Sequence, residues 1–262
     1  MASCVLGVCW LLAAGTLVQA PAADPVVSVW YRGTPPGVAR EDDLAAIRAQ
    51  GFSGITWPSA QSAGLPGLQR LAREVGLRVA VHDAPVHLTA PDAVRPPAHV
   101  DIVIPRLGAA EIPALVWRAV AHGARDIAFD PGSSPGSGSG LTDKSGRPLA
   151  WVAPAAALAR QLTFNGRLFA AVTAGPPVSL QAPVPAGVDV VLLEAPRAWV
   201  LVSTNTSHTR VTAIAELPTP IAPALWTSLL DGSGMSMLSR PTGPRWTFEL
   251  EPGEAGIWTI QK

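Results

Sequence analysis

The clearest periodic pattern in the chain lies between residues 112 and 132, where a helix, a turn and a strand follow one another. Apolar residues recur at the i, i+3, i+4, i+7 and i+8 spacing of an amphipathic helix, at Ile112, Leu115, Val116, Ala119 and Val120. Gly123 follows this stripe and suits a left-handed cap, so the helix is predicted to end at His122. Residues 126–130 form a short run that a proline closes, which is typical of a buried strand. The pattern therefore places the carboxylate of Asp130 at the C-terminal end of a strand.

The same alternation of strand and helix runs through the first half of the chain. Short apolar strands are predicted at residues 26–30, 52–57, 77–81, 100–105 and 126–130. The helices between them end at glycines such as Gly51 and Gly76, and each leads directly into the next strand. Such repeats make right-handed crossovers and give a parallel sheet. We expect an incomplete or reduced (β/α) barrel, because a full barrel has eight strands.

The apolar period changes to two after about residue 167. Before the change, a last helix is predicted at residues 149–162, with a local break at Pro154. Beyond it, strands are predicted at residues 188–193, 199–203, 210–216, 245–250 and 256–260. The fold class is thus α/β plus all-β: a parallel barrel-like domain at residues 24–165, then an antiparallel β-sandwich at residues 166–262.

The first 23 residues have the features of a secretory signal peptide. An apolar run at residues 5–18 precedes small residues, so cleavage is expected near Ala23. The run is short for a membrane span, and we expect a secreted or periplasmic protein with no span after cleavage. Cys4 and Cys9 both lie in this segment, which leaves the cleaved chain without a disulfide or a cysteine-bound metal.

Charge and histidine spacing exclude further classes of partner. Lys plus Arg and Asp plus Glu both number 19, and no basic run occurs, so nucleic acid is not an expected partner. His87, His99 and His208 lack the spacing of metal ligands, and we expect neither a metal nor another cofactor.

Several polar and aromatic residues follow the predicted strands of the first half. They are Trp30, Tyr31, Trp57, His82, Asp83, Arg106 and Asp130. Ligands bind at the C-terminal ends of parallel strands, aromatic faces stack on pyranose rings, and charged groups bind hydroxyls. This set predicts a carbohydrate site.

A structural role is the alternative for these residues. Asp83 and Asp130 would then cap the next elements, Arg106 would pair with one of them, and Trp30 would fill the incomplete barrel. Four tryptophans of the second half leave the same choice open between a sugar-stacking face and a core; they are Trp199, Trp226, Trp246 and Trp258.

Two groups of motifs carry a resemblance to a known family. The runs WRAVAHGAR at residues 117–125 and GLTDKSGRP at residues 140–148 resemble the last turn of the barrel in β-galactosidase-type glycoside hydrolases. The runs VLVSTNTS at residues 200–207 and LEPGE at residues 250–254, with Trp226 through Asp231-Gly232, are similar to that family's trailing sandwich. The resemblance covers most of the chain after the signal peptide. It implies a barrel enzyme that cleaves glycosidic bonds with two carboxylates, one acid/base and one nucleophile.

The chain departs from that family where catalysis should occur. No Asn-Glu pair is present for the acid/base, and Arg106 follows Pro105 where the nucleophilic glutamate should end a strand. Two hypotheses follow: an exported hydrolase that uses Asp83 and Asp130 instead, or a non-catalytic carbohydrate-binding or cell-surface protein. Carboxyl groups about 5 to 9 Å apart across an open cleft would permit hydrolysis.

A reduced barrel also leaves an edge strand that something must cover. We expect a broad apolar contact between the two halves of the chain, with Trp151 or Phe169 in it. If that contact fails, a homodimer is expected.

Overall fold

The computed structural model describes residues 25–33, 36–83, 99–103, 108–132, 140–181, 183–218, 221, 225–230, 234–236 and 245–262. The predicted signal peptide at residues 1–23, the glycine and serine tract at 133–139, and Arg106 lie outside the described residues. Within the described ranges, no helix has the length and apolar character needed to cross a membrane.

Five short strands form one parallel sheet, which confirms the parallel arrangement predicted from the strand and helix alternation. They are β1 (Val26–Trp30), β2 (Gly54–Pro58), β3 (Arg78–His82), β4 (His99–Val103) and β5 (Asp126–Asp130). Their order is β3-β2-β1-β5-β4, and every neighbouring pair is parallel. The C-terminal ends of all five strands therefore share one edge.

Helices follow most of these strands and cover one face of the sheet. They are α1 (Glu41–Ala49), α2 (Leu65–Val75), α3 (Ile112–Ala121), α4 (Val152–Phe164) and α5 (Gly166–Ala171), with short 3-10 turns at Ser59–Gly64 and Ala109–Glu111. The break expected at Pro154 is wrong. Because α4 begins at Val152, Pro154 lies in its first turn, where the missing N–H needs no partner within the helix.

Gly123 ends α3 with a backbone conformation that only glycine adopts easily. Its φ is +109°, which confirms the predicted positive-φ cap, and its N–H donates to the carbonyl of Val120 over 3.1 Å. No heavy atom lies within 4 Å of the position that a Cβ would take. We expect Gly123→Val to lower the free energy of unfolding by about 1 kcal/mol or more, from backbone strain alone. Urea unfolding measures this, and an unchanged midpoint would contradict the cap.

The two faces of the parallel sheet differ in character. Side chains alternate between faces along a strand, so Val27, Val29 and Phe129 point to the helices, and all three are fully buried there. The opposite side, here called the inner face, carries more polar side chains. It carries Ser28, Trp30, Thr56, His82, Asp126 and Asp130. Ser28 and Thr56 are buried on it and share a hydrogen bond of 2.9 Å between their hydroxyl oxygens.

The sheet curls strongly towards its inner face. His82 is level with Pro58, two residues beyond Thr56, whereas Asp126 is level with Val26. In a flat sheet these two positions would lie about 20 Å apart along the strands and about 14 Å apart across them. His82 Nε2 is nevertheless 3.9 Å from Asp126 Oδ2. The sheet must therefore bend so that its two sides approach each other.

The second half of the chain forms two antiparallel sheets. Their strands are β6 (Thr173–Ala174), β7 (Ser179–Leu180), β8 (Val188–Ala195), β9 (Ala198–Asn205), β10 (Val211–Glu216), β11 (Leu225–Ser228), β12 (Gly234–Ser236), β13 (Arg245–Leu250) and β14 (Ala255–Gln261). One sheet has the order β13-β10-β7 and the other the order β12-β11-β14-β9-β8-β6. A core that includes Leu201, Ala213, Trp226 and Phe248 lies between them. The antiparallel prediction is confirmed.

Helix α3 joins the two halves through an apolar contact. It packs against β8, β9 and β14, and Val200, Val202 and Ile257 belong to the same core as the parallel sheet. Phe169 is part of this core and its ring centroid lies 5.2 Å from that of Trp117. The expected contact is therefore present. The homodimer expected where that contact fails stays a prediction.

A partly buried charge cluster flanks the same contact. Asp189 on β8 is hydrogen-bonded to His122, and its Oδ2 is 3.7 Å from Nε of Arg118. Burial alone would raise the pKa of Asp189, but the hydrogen bond from His122 and the charges of His122 and Arg118 outweigh it and lower that pKa below its ordinary value.

Asp189 should make the stability of the protein sensitive to acid. A carboxylate with a lowered pKa contributes stability above its unfolded pKa of about 4, and that contribution is lost as the pH falls through the folded pKa. We expect Asp189→Asn to unfold more easily than the parent at pH 7, with the difference shrinking below about pH 4. Denaturant unfolding at pH 7, 5 and 3 measures this. A difference that stays constant across this range would contradict the assignment.

Candidate functional site

The C-terminal edge of the parallel sheet gathers most of the residues that the sequence predicts for a site. Trp30 ends β1 and Tyr31 follows it, Trp57 lies near the end of β2, and Asp130 ends β5. His82 ends β3 and Asp83 follows it. This edge is called the rim below.

The aromatic rings at the rim are buried. Trp57 is fully buried, and its Nε1 donates to the carbonyl of Gln61 over 3.0 Å. Tyr31 is also fully buried; its hydroxyl donates to Asp43 Oδ2 over 3.0 Å and accepts the N–H of Arg40. Burial raises the pKa of the Tyr31 phenol well above its usual range. These two rings pack the helix side of the sheet, so the structure gives them no open face for stacking on a sugar.

Trp30 lies on the inner face and is only 2% exposed. The guanidinium carbon of Arg32 lies 5.7 Å from the centroid of its ring, within the range of a cation–π contact. In this position the ring of Trp30 holds the guanidinium of Arg32 in place by a cation–π contact.

Arg32 and Asp130 form the best-defined polar pair at the rim. Arg32 Nη2 donates to Asp130 Oδ1 over 3.0 Å, and its Nη1 donates to the carbonyl of Gly132 over 3.2 Å. The N–H of Gly132 donates to the same Asp130 Oδ1 over 2.8 Å. The side chain of Asp130 is 7% exposed and that of Arg32 is 36% exposed. The carboxylate is thus held below the surface, and the guanidinium is the part that solvent reaches.

No sequence pattern singles out Arg32, since it stands in the loop two residues after β1. Its partner Asp130 is 98 positions away in the chain, and only the parallel pairing of β1 with β5 brings the two together.

Asp83 and His82 form a second polar group on the rim. Asp83 is exposed, and its Oδ1 accepts a hydrogen bond from the hydroxyl of Ser59. His82 turns inward towards Asp126 on the inner face. In the part of the chain that the structure describes, no three His, Cys, Asp or Glu side chains come together as metal ligands would.

Comparison with known proteins finds no matching family model and no match among curated proteins. The chain is similar to several solved structures. An endoxylanase of family GH30 from Clostridium papyrosolvens is 8% identical, with 92% of this chain and 98% of that chain covered at a TM-score of 0.42. An α-amylase from Anoxybacillus is 8% identical, with 84% and 62% covered at a TM-score of 0.44. A GH27 β-L-arabinopyranosidase from Geobacillus stearothermophilus is 10% identical, with 85% and 61% covered at a TM-score of 0.42.

This chain therefore spans about three-fifths of the amylase and of the arabinopyranosidase. Each of the three is a glycoside hydrolase, and these likenesses do not single out the β-galactosidase type.

Proposed function

We propose that this protein binds carbohydrate at the rim and does not cleave glycosidic bonds. The observation that carries the proposal is the state of Asp130. This carboxylate is almost fully buried, is paired with Arg32 and accepts a backbone hydrogen bond on the same oxygen.

Hydrolysis would require more freedom than this environment allows. A retaining glycosidase places two carboxyl groups about 5 to 5.5 Å apart, and an inverting one places them about 6.5 to 9.5 Å apart with a water between. The nucleophile or base must also reach the anomeric carbon or that water. Asp130 lies under Arg32, so the group that a sugar meets first is a guanidinium, which can bind but cannot attack.

Binding fits the same arrangement better. Arg32 presents donors whose direction is fixed by Asp130, by the carbonyl of Gly132 and by the ring of Trp30. Asp83 supplies an exposed acceptor at the end of β3. Fixed donors and acceptors of this kind suit sugar hydroxyls. The resemblance of the sequence to β-galactosidase-type hydrolases supports the same class of ligand.

The proposal includes a finer description of the fold. In a closed (β/α) barrel the strands lie in sequence order around a ring, and the last strand lies beside the first. The order β3-β2-β1-β5-β4 is what such a ring leaves when a consecutive group of strands is missing, because β5 still lies beside β1. The curl of the sheet and its polar inner face agree with this. We therefore propose a reduced (β/α) barrel at residues 24–165 and a trailing β-sandwich at residues 166–262.

A hydrolysis assay and a binding assay together test the proposal. The protein is incubated with a panel of chromogenic glycosides, and binding to immobilised neutral oligosaccharides is measured. We expect no release of chromophore and a loss of rim binding of at least tenfold in Arg32→Ala. Arg197→Ala, which removes an exposed arginine from the turn between β8 and β9, is the matched control and should bind as the parent does. Release of chromophore that disappears in both Asp83→Asn and Asp130→Asn would instead support the hydrolase hypothesis.

Export is a separate part of the proposal. Its support is the apolar run at residues 5–18 with small residues after it. N-terminal sequencing of the protein from its native host should find a start near Ala23, in a secreted or periplasmic fraction. An intact Met1 in that material would contradict export.

A further inference from the structure

A second cleft lies in the antiparallel half of the chain, away from the rim. It has a volume of about 420 Å³ and opens between β13 of one sheet and β9, β11 and β14 of the other. This volume lies within the range of about 300 to 1,000 Å³ that is usual for small-molecule sites. The six-stranded sheet separates the cleft from α3. Along β9, Val200 and Val202 face the helix, whereas Leu201 and Ser203 face the side of the cleft.

Aromatic rings form the walls of this cleft. The centroids of Trp246 and Trp258 lie 6.3 Å apart with their planes at 68°, and Phe248 lies 4.8 Å from Trp246. Trp258 is half-buried, so part of its ring faces the cleft. Rings in this arrangement suit the apolar C–H face of a pyranose.

Polar atoms lie on the floor of the cleft. Ser203 of β9 pairs with Gly256 of β14, and Ser228 of β11 pairs with Trp258 of β14. Gly256 and Trp258 are two residues apart on one strand, so all four positions lie on the same face of the sheet. Both serines are buried. Nε1 of Trp258 is buried as well, and among the described residues it has no hydrogen-bond partner. A buried N–H donor without an acceptor is costly, and a ligand hydroxyl would satisfy it.

Gly256 lets Ser203 and the indole of Trp258 lie close together on this floor. A Cβ at this position would lie 2.8 Å from Ser203 Oγ and 2.9 Å from Trp258 Nε1. Any larger residue would therefore displace the indole from its place beside Ser203.

The mouth of the cleft is acidic. Glu249 and Glu254 line it, Glu249 is paired with Arg210, and Glu251 lies on the far side of the same arginine at 3.3 Å. With one arginine among three carboxylates, an anionic ligand is repelled, whereas carboxylate oxygens accept hydrogen bonds from sugar hydroxyls.

We propose that this cleft is a second binding site, which takes one ring of a neutral sugar chain. The ring stacks on Trp258 beside Trp246 with its hydroxyls at Glu249 and Glu254, and a shift of Trp258 on binding brings the indole N–H to a ring hydroxyl. This site goes beyond the rim function and does not depend on it.

Titration of the full protein with defined trisaccharides tests the proposal. The probes are xylotriose, cellotriose and maltotriose as neutral ligands, trigalacturonate as an anion and the glucosamine trimer as a cation, with tryptophan fluorescence and calorimetry as readouts. We expect saturable binding of at least one neutral trisaccharide to Arg32→Ala, in which only the cleft remains, and at least tenfold weaker binding when Trp258→Ala or Gly256→Ala is added to that variant. Trp199→Ala is the matched control, because Trp199 lies on the same sheet under Lys262 and does not line the cleft.

Trp258→Phe distinguishes a loss of binding from a loss of folding. It keeps an aromatic wall and removes only the N–H, so binding should weaken without being lost while the thermal midpoint stays near that of the parent. Arg32→Ala separates the two sites, since cleft binding should persist in it. The proposal is overturned if no neutral trisaccharide binds, or if the charged trimers bind more tightly than the neutral ones. It is also overturned if binding survives in both Trp258→Ala and Trp258→Phe but is lost in Arg32→Ala, because the ligand would then bind at the rim alone.

Discussion

Gly253→Ala should unfold at a much lower denaturant concentration than the parent, with a loss of about 3 kcal/mol in the free energy of unfolding. Gly253 has a φ of +82°, where a non-glycine residue costs about 1 to 2 kcal/mol. A Cβ here would also lie 2.2 Å from the carbonyl oxygen of Ala110, which belongs to the backbone and cannot move alone. Overpacking of this kind typically adds about 1 to 3 kcal/mol.

The contact at Gly253 matters because it joins the two halves of the chain. The carbonyl of Gly253 accepts the N–H of Ala114, one of the donors that the first turn of α3 leaves unpaired, over 3.1 Å. The N–H of Gly253 donates to the carbonyl of Asn205 over 2.8 Å. A shift of this turn would therefore disturb the cap of α3 and the end of β9 together.

Gly146→Ala is the matched control for this prediction. Gly146 has a φ of +77°, but no heavy atom lies within 4 Å of the position of its Cβ. Gly146→Ala should lower the free energy of unfolding only by the cost of the positive φ, about 1 kcal/mol. Equal losses in Gly253→Ala and Gly146→Ala would mean that the close approach to Ala110 is absent in solution.

The parallel half of the fold could be predicted because its signals are local. Each helix carries an apolar stripe, and Gly76 and Gly123 end their helices with positive φ just before a strand. Strand direction then follows from the right-handed crossover. The order of the strands did not follow, because the pairing of β1 with β5 joins positions about 100 residues apart, and no local pattern encodes it.

The site was harder to predict than the fold for a related reason. Sequence shows that Trp30, Tyr31 and Trp57 stand near strand ends, but it does not show which face the helices cover. Tyr31 and Trp57 fall on the covered face and are fully buried, whereas Trp30 lies on the inner face beneath Arg32. Trp30 and its chain neighbour Tyr31 thus have opposite surroundings, and only the packing of α1 and α2 decides between them.

The cleft of the antiparallel half depends on contacts of longer range still. Trp246 and Trp258 lie on different sheets, and their approach depends on how the two sheets diverge. Periodicity predicted both strands but left open whether the four tryptophans formed a core or a binding face. The structure divides them: Trp226 is fully buried in the core, while Trp246 and Trp258 line the cleft.

Phe129→Ala should destabilise the protein by about 3 to 5 kcal/mol, the range for removal of a fully buried phenylalanine ring. Phe129 lies in β5, between β1 and β4, and is fully buried on the helix side of the sheet. Its ring centroid is 6.0 Å from that of Phe52 in an edge arrangement, and 5.9 Å from that of Trp151 in a stacked one. Removal of the ring would leave a cavity among side chains that lie just before β2, just before α4 and in the sheet itself, which cannot all move inward together.

Phe164→Ala removes the same group from the end of α4, where the residue is 90% exposed, and should change the free energy of unfolding by less than about 0.5 kcal/mol. Guanidinium unfolding of both variants, followed by tryptophan fluorescence and by circular dichroism, measures the difference. Because Phe129 immediately precedes Asp130, its loss should also loosen the carboxylate that holds Arg32, so the binding that we propose at the rim should weaken even where the variant remains folded. A Phe129→Ala protein as stable as Phe164→Ala would mean that β5 is not the centre of the parallel core.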